Sequence, residues 1–343
     1  DSHSDQRKVR AIYYNNKFHE NPKNGRNETR LTNFGGRQSV LLDPESTGSL
    51  VVFSFRLKPN TRQAEDCRVW VCRSETEEAM VEDRIGPVEP GRWLLFVPVE
   101  AAFRQSQTGP ALESRCSLAR EDMPPSWMVK FPLAIDLVRK ATELRRLAGV
   151  DADTRLMQRR ECEYQLFRSV EEAIELPHIV AGFKNVEEFV SRAQTILQRR
   201  KARAGRSLEL HTREILLEER LVEGVDFSHQ PESEDGKSPD FLFPSEAAYK
   251  DTRFPRGKLR MLAVKTTCKD RWRQILNEAD HVQSKHLLTL QEGVSESQFL
   301  EMSNAGVQLV VPASLIGSYP KEIRGRLQSL KSFIEDVRHL GRQ

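Results

Sequence analysis

The spacing of the apolar residues changes near Phe131, and this change is the feature that most constrains the fold. Before about residue 110, short runs of β-branched, aromatic and leucine side chains alternate with clusters of Gly, Asn, Pro and Asp, which is typical of short strands joined by turns. Further along, apolar residues recur at helical spacing, as in Val186, Phe189 and Val190. The chain is therefore predicted to contain a β-rich part, barrel- or sandwich-like, followed by an α/β part.

The predicted domain limits follow from this change. Residues 1–110 form the β-rich domain, residues 111–121 a polar linker, and residues 122–343 the α/β domain, whose central sheet is flanked by helices. Within the α/β domain, one helix is predicted over residues 186–197 and a second from Ser207, a good N-cap residue, to about Leu221. The predicted strands of this domain are Phe241–Phe243, Leu259–Thr266 and Val307–Val311.

Composition excludes several classes of protein. Hydrophobic residues make up 38% of the chain and charged residues 30%, and no apolar stretch is long enough to cross a bilayer. No N-terminal signal segment is present in this sequence. The five cysteines are an odd number with scattered spacings, which predicts neither a disulfide framework nor a zinc site. We therefore expect a reducing, cytoplasmic setting and no membrane partner.

The distribution of charge is more informative than its total. The net charge is only +3, but basic residues cluster in residues 26–37, 198–203 and 265–273. Because phosphate neutralisation is local, such clusters are compatible with a nucleic-acid surface. Each run is equally compatible with an ordinary solvated surface.

Two polar residues at the ends of predicted strands could perform chemistry. Asp240 follows Pro239 where a loop enters an apolar strand, so its carboxylate can point from the edge of the sheet towards a metal. Lys265 ends the strand over Leu259–Thr266, on the same face as Met261 and Ala263. A lysine in this position is costly to bury alone, so a negative partner is expected.

A second carboxylate is expected on the helix predicted after this strand. Gln274 and Glu278 stand four residues apart and would share one face of the helix, which would direct Glu278 back towards Lys265. Trp272, Ile275 and Ala279 would form the packing face. Two carboxylates and one ammonium are the parts required for hydrolysis of a phosphodiester with Mg²⁺.

Taken alone, this pattern is weakly specific. The nuclease pattern PD-x-(D/E)-x-K expects an acid two residues before the lysine, and Ala263 occupies that position here.

Longer stretches resemble the EcoRII family of type II restriction endonucleases. The similar segments are residues 204–210, 239–244, 261–280, 288–294 and 309–314 in the C-terminal half, and residues 10–15, 26–30, 43–48 and 70–72 in the N-terminal half. The resemblance implies a restriction-endonuclease-like C-terminal domain preceded by a β-rich, barrel-like effector domain that binds DNA. It also implies that the effector domain is truncated at its start in this sequence.

The resemblance assigns roles to individual residues. In that family the second metal carboxylate has moved from the strand to the following helix, so Asp240 and Glu278 are the expected Mg²⁺ ligands and Lys265 is the third catalytic residue. Glu209 is expected as an outer acid, and Tyr249 matches a position linked to activity.

DNA contacts are expected in both halves of the chain. Lys269, Asp270 and Arg271 could enter a major groove, since basic side chains bond guanine O6 and N7 and an aspartate accepts from cytosine N4. Alternatively, these three residues form a helix cap with an ordinary ion pair on the surface. In the effector domain, the expected DNA contacts lie in a loop and are Arg26, Glu28 and Arg30.

Taken together, the resemblance implies a Mg²⁺-dependent site-specific deoxyribonuclease of a bacterial or archaeal restriction-modification system. It would cut double-stranded DNA at CCWGG-like sites, 5′ of the first cytosine, as a homodimer whose symmetry matches the target. A companion cytosine methyltransferase would act on the same site without needing to bind this chain. Two alternatives remain open: a sequence-specific DNA-binding protein that no longer cuts, and a repair-type metal nuclease of related fold.

Overall fold

The computed structural model describes residues 6–14, 28–36, 39–59, 61, 63–95, 104–105, 116–234, 236–268, 271–283 and 285–342. The strands are β1 (Arg10–Tyr14), β2 (Glu28–Thr32), β3 (Val51–Leu57), β4 (Ala64–Val71), β5 (Leu94–Leu95), β6 (Arg104–Gln105), β7 (Ser228–His229), β8 (Phe241–Phe243), β9 (Arg260–Lys265), β10 (Lys285–Thr289) and β11 (Val307–Val310). The helices are α1 (Glu75–Ile85), α2 (Pro125–Val129), α3 (Ala134–Leu144), α4 (Ala152–Ala181), α5 (Val186–Glu218), α6 (Glu246–Lys250), α7 (Arg271–Gln274), α8 (Glu296–Asn304), α9 (Ala313–Ile316), α10 (Lys321–Arg324) and α11 (Leu330–Arg342).

The chain divides into two compact units, residues 1–78 and 79–343, with the division inside α1. The domain limits expected at residues 110 and 121 stay a prediction, since residues 111–115 lie outside the described part of the chain.

The first unit contains two antiparallel strand pairs. β1 pairs with β2, with Arg10 opposite Thr32, and β3 pairs with β4, with Val51 opposite Val71. The β-branched and aromatic residues of these strands suit the pleated backbone. Among the described residues these strands do not close into a barrel, so the barrel-like shape expected from the sequence is not confirmed.

The second unit is built around a five-stranded mixed sheet. Its strand order is β11-β10-β9-β8-β7, in which β9, β10 and β11 are parallel and β7 and β8 are antiparallel to their neighbours. Parallel strands require crossover connections, and helical segments supply them on the way from β9 to β10 and from β10 to β11. The α/β class expected from the sequence is confirmed.

Both faces of this sheet are buried. On one face, Met261 and Ala263 of β9 pack in a cluster with residues of α6, α7 and α8. On the other face, Leu262 and Val264 pack against α4, α5 and α11. This division follows the period-two alternation predicted for the strand.

The two longest helices are α4 and α5, with 30 and 33 residues. The expectation that a separate helix begins at Ser207 is wrong, because α5 runs without interruption from Val186 to Glu218. Ser207 is fully buried and its hydroxyl donates to Glu163 of α4 at 2.9 Å, so it serves packing between helices rather than a cap. None of the helices in the described residues has both the length and the apolar character needed to cross a membrane.

A third apolar cluster joins α2, α3 and α4 and contains a disulfide. Cys116 and Cys162 are bonded across 46 residues of sequence, and both are buried. The expectation that the cysteines form no disulfide is therefore wrong for this pair. Cysteine spacing alone could not reveal it, because the pairing depends on how the segment before α2 lies along α4. In the described residues, Cys67, Cys72 and Cys268 are not disulfide-bonded.

Candidate active site

Asp240 lies where the loop after β7 enters β8. The strand itself, Phe241–Phe243, is fully buried, which fixes the position of the preceding residue. The backbone carbonyl of Asp240 accepts a hydrogen bond from the amide of Gln230 at 2.9 Å. Its carboxylate turns towards the end of β9, where Oδ2 accepts from the amide of Val264 at 2.7 Å and from Nζ of Lys265 at 3.1 Å.

Lys265 is the last residue of β9 and meets the negative partner expected for it. The side chains of Lys265 and Asp240 are 24% and 15% exposed, so the pair lies at the rim of the sheet and is open to solvent on one side. In the described part of the chain, the hydrogen bonds of the Asp240 carboxylate all go to Oδ2. Oδ1 is therefore left with electron pairs available to a cation.

Glu278 occupies a different kind of segment from the one expected. Helix α7 ends at Gln274, and a 3-10 turn over Ile275–Asn277 follows, so Gln274 and Glu278 do not share a helical face. Glu278 has extended backbone, with φ −95° and ψ 141°. The helix is short because the chain must return to β10, and the 3-10 turn tightens that return. The predicted packing residues Trp272, Ile275 and Ala279 are buried as expected.

The side chain of Glu278 nevertheless comes close to the Asp240–Lys265 pair. Burial raises the pKa of Glu278, while Lys265 favours the charged form and Asp240 opposes it. Its Oε2 is buried and has no hydrogen-bond partner among the residues that the structure describes. A buried carboxylate oxygen without a donor is costly, and a bound cation would remove that cost.

Glu209 lies behind the loop that carries Asp240. It projects from α5, is 7% exposed, and lies 2.5 Å from Nε2 of His229 and 2.8 Å from Nε2 of Gln230. Since Gln230 also donates its backbone amide to Asp240, Glu209 is connected to the site through β7 rather than directly.

Tyr249 is buried on α6, on the far side of the segment that follows Glu278. Its hydroxyl donates to Oε1 of Glu234 and accepts from the backbone amide of His281 at 3.3 Å. Burial and Glu234 together raise the pKa of Tyr249. In the described contacts, this hydroxyl touches neither Asp240 nor Lys265.

The residues expected to contact DNA are only partly described. Lys269, Asp270 and Arg26 lie outside the described residues, and Arg271 begins α7. Glu28 and Arg30 lie in β2 rather than in a loop, because this segment pairs with β1. Their side chains form an ion pair at 2.8 Å and are 38% and 48% exposed.

The arrangement fits a divalent cation held by two carboxylates. No group of three or more His, Cys, Asp or Glu side chains suited to a metal occurs in the described residues. Asp240 and Glu278 are the two carboxylates placed to hold the ion. Mg²⁺ is commonly held in this way, with water and substrate phosphate completing its coordination. The oxygens that remain available, Oδ1 of Asp240 and Oε2 of Glu278, fit this role.

Several residues around the site were not anticipated from the sequence. Lys285, Glu234 and His229 each bond to a candidate site residue or to the backbone beside it. Lys285 could have been noticed, because a lysine opening the apolar run His286-Leu287-Leu288 raises the same burial problem as Lys265. The other two act through contacts that no local spacing reveals.

Comparison with known proteins identifies similar chains. A family model described as "EcoRII C terminal" matches residues 167–334, and one described as "Restriction endonuclease EcoRII, N-terminal" matches residues 1–100. The "Type II restriction enzyme EcoRII" of Escherichia coli is 40% identical over 329 residues, which cover 96% of this chain and 78% of that protein.

Solved structures with a similar fold were also found. The structure described as metal-depleted Ecl18kI in complex with uncleaved, modified DNA has a TM-score of 0.50 and 16% identity, and the match covers 63% of this chain and 83% of that one. A second complex of metal-depleted Ecl18kI, with uncleaved DNA, has a TM-score of 0.49 and 17% identity, with 62% and 80% covered.

Proposed function

This chain belongs to the EcoRII family of type II restriction endonucleases, and from that premise we propose that it cuts double-stranded DNA with Mg²⁺ at CCWGG-like sites. The cut falls 5′ of the first cytosine. The protein acts in the cytoplasm of a bacterium or archaeon, where a companion cytosine methyltransferase modifies the same site.

The observation that carries the proposal is the Asp240–Lys265 ion pair at the edge of the sheet, with Glu278 near enough to interact electrostatically with both charges. The three come from the loop that enters β8, the end of β9 and the connection after α7. Each carboxylate keeps one oxygen available, and an ammonium lies beside them. This combination is what hydrolysis of a phosphodiester needs.

The protein residues divide the work as follows. Asp240 and Glu278 hold Mg²⁺, which, when bound, supplies a Lewis acid and a more acidic water. The ammonium of Lys265, paired with Asp240, orients the attacking water and neutralises charge on the phosphate oxygens. Glu209 supports the Asp240 loop through Gln230, and Tyr249 supports the segment that follows Glu278.

Target recognition is assigned to the segment between β9 and α7. Lys269 and Asp270 precede α7 and Arg271 opens it, four to six residues after the catalytic lysine, so base contacts made there would place the scissile phosphate near the site. Their donors and acceptor suit consecutive G·C pairs. The effector domain, with Arg26, Glu28 and Arg30, binds a second DNA segment, and its strands take the barrel-like form of the family. The enzyme works as a homodimer in which each subunit cuts one strand.

The test is a digest of plasmids with Mg²⁺, followed by sequencing of the product ends, with Lys265→Ala as control. Cuts before CC(A/T)GG that the control does not make would establish the target and the site together. Tight binding to the same site without cutting would favour a DNA-binding protein that has lost activity. Cutting without regard to CCWGG would favour a repair-type nuclease.

A further inference from the structure

The residue after Glu278 has a backbone conformation that its side chain disfavours. Ala279 has a φ of 51°, in the left-handed region, and is fully buried. For a residue with a Cβ atom, this conformation is disfavoured because the Cβ atom crowds the backbone. Such strain persists only where the surroundings impose it. Some contact must therefore hold this turn in place.

Lys285 supplies that contact. It opens β10 and is 8% exposed, and its Nζ donates to the backbone carbonyl oxygens of Glu278 and Ala279, the latter at 3.0 Å. An ammonium is rarely buried without partners, since desolvating it is costly. Here its hydrogen bonds go to the backbone carbonyl groups before and after the Cα atom of Ala279.

The next two residues of the turn are held through their backbone amides. The amide of Asp280 donates to Oε1 of Glu234 at 3.0 Å, and the amide of His281 donates to the hydroxyl of Tyr249 at 3.3 Å. Four consecutive residues, 278–281, are thus anchored through their backbones by side chains from other elements.

The carboxylate of Glu278 depends on this backbone for its direction. Its Oε2 has no hydrogen-bond donor of its own within the described residues. The side chain is therefore aimed by the extended backbone of Glu278 and by the turn that follows it, and a rotation of that backbone would move the carboxylate away from Asp240.

We propose that Lys285 is a positioning residue that fixes the strained turn at Ala279 and thereby holds the Glu278 carboxylate at the metal site. The inference rests on the proposed function, because it takes Glu278 to be a metal ligand. Lys285 touches neither substrate nor metal. It acts through two carbonyl groups of the backbone.

The test is titration of the full chain with Mn²⁺, followed by electron paramagnetic resonance of the free ion. Lys285→Met keeps the length of the side chain and removes the donor, and is expected to weaken Mn²⁺ binding by about 10-fold or more. Adding Ala279→Gly to this variant should recover part of the affinity, because glycine adopts the left-handed conformation without a Cβ penalty. If Lys285→Met does not fold, Lys285→Gln, whose shorter side chain keeps one donor group, should weaken Mn²⁺ binding by a smaller factor, and Ala279→Gly should again recover part of the affinity.

The matched control is Val307→Ala. Val307 lies directly opposite Lys285 in the β10–β11 pairing and is 3% exposed, so its truncation loosens the same part of the sheet without touching the turn. We expect wild-type Mn²⁺ affinity from this control. Equal losses in Lys285→Met and Val307→Ala would overturn the proposal, as would the absence of any recovery with Ala279→Gly.

Glu278→Gln distinguishes a failure of the positioning role of Lys285 from a failure of the metal role of Glu278. If it weakens Mn²⁺ binding and Lys285→Met does not, the positioning role is wrong and the metal role of Glu278 stands. If Glu278→Gln binds Mn²⁺ as tightly as the wild type, the metal role itself is wrong.

Discussion

At the scale of single residues, the site is defined by which oxygen atoms are already engaged. Oδ2 of Asp240 accepts hydrogen bonds from Val264 and Lys265, and Oε2 of Glu278 meets no donor in the described structure. The hydrogen-bonded Oδ2 fixes the Asp240 carboxylate, and Oδ1 of Asp240 and Oε2 of Glu278 remain for a cation. Tyr249 shows the opposite pattern, since its hydroxyl both donates and accepts within the protein.

Tyr249→Phe should therefore affect stability more than chemistry. The change removes a hydrogen bond to Glu234, so we expect the free energy of unfolding to fall by about 1 kcal/mol. The cleavage rate should stay within about tenfold of the wild type, because the turn at 280–281 retains the bond from Asp280 to Glu234. Urea unfolding and single-turnover cleavage measure the two effects. Unchanged stability with a rate as low as that of Lys265→Ala would instead mean that the hydroxyl acts on the substrate.

His211 provides a prediction on pH. It is 1% exposed, and burial, together with Arg160, Arg203 and Arg159, lowers its pKa well below 6.5. The unfolded chain takes up a proton at this residue as the pH falls through 6.5, and the folded chain does not. The folded state must therefore lose stability below pH 6.5, by up to about 1.4 kcal/mol for each pH unit.

His211→Leu should remove this part of the pH dependence. Urea unfolding at pH 7.5, 6.5 and 5.5 would show a shallower loss of stability in the variant than in the wild type. His178→Leu, at an exposed position on α4, controls for the removal of a histidine elsewhere. Parallel profiles for His211→Leu and the wild type would contradict the prediction.

At the scale of elements, α4 and α5 are held together by buried charge as well as by apolar packing. Arg203 of α5 meets Glu163 of α4 at 2.7 Å, and both side chains are almost completely buried. Arg203 also pairs with Glu89 at 2.5 Å. Because α5 carries Glu209, the packing of these two helices determines where that acid stands relative to the sheet.

Glu163→Gln should destabilise the protein by about 3–5 kcal/mol, because the buried guanidinium of Arg203 loses one of its two carboxylate partners. Replacing both partners, with Glu163→Leu and Arg203→Met, should cost much less than the single change. Thermal or urea unfolding followed by circular dichroism measures both variants. Glu143→Gln, in the exposed pair with Lys140, should change stability by less than about 1 kcal/mol. A single-variant loss no greater than that of this surface control would refute the argument.

The sequence predicted the elements whose signals are local. The alternation in β9, the buried run of β8 and the loop position of Asp240 each depend on neighbouring residues, and the structure shows all three. The prediction at Ser207 was wrong because a serine alone does not distinguish a helix N-cap from an interior position whose hydroxyl bonds a neighbouring helix. The prediction that Glu278 lies on a helix was wrong because α7 ends early where the chain crosses over to β10, which is a tertiary constraint. The Cys116–Cys162 disulfide likewise requires three-dimensional proximity that spacing does not encode.

At the scale of the whole molecule, the proposed homodimer makes a prediction about strand cutting. If each subunit cuts one strand, a dimer of one wild-type and one Lys265→Ala subunit should nick a supercoiled plasmid and release little linear product in the first turnover. Co-expression with two different tags and tandem purification yields the mixed dimer, and agarose gels separate nicked from linear DNA. Linearisation at the wild-type rate would show that one subunit cuts both strands. Sedimentation of the wild type should give twice the mass of the chain.

The position of Glu278 in the crossover between β9 and β10 has a consequence for synthesis in the cell. Translation delivers Asp240 and Lys265 first, then Glu278, and only afterwards Lys285, which opens β10 and holds the turn. A nascent chain that ends before residue 285 lacks the contacts that anchor the second carboxylate. If Lys285 positions Glu278 as proposed, the enzyme is expected to remain harmless to its host's chromosome early in synthesis and to acquire its ability to cut only after β10 has been added.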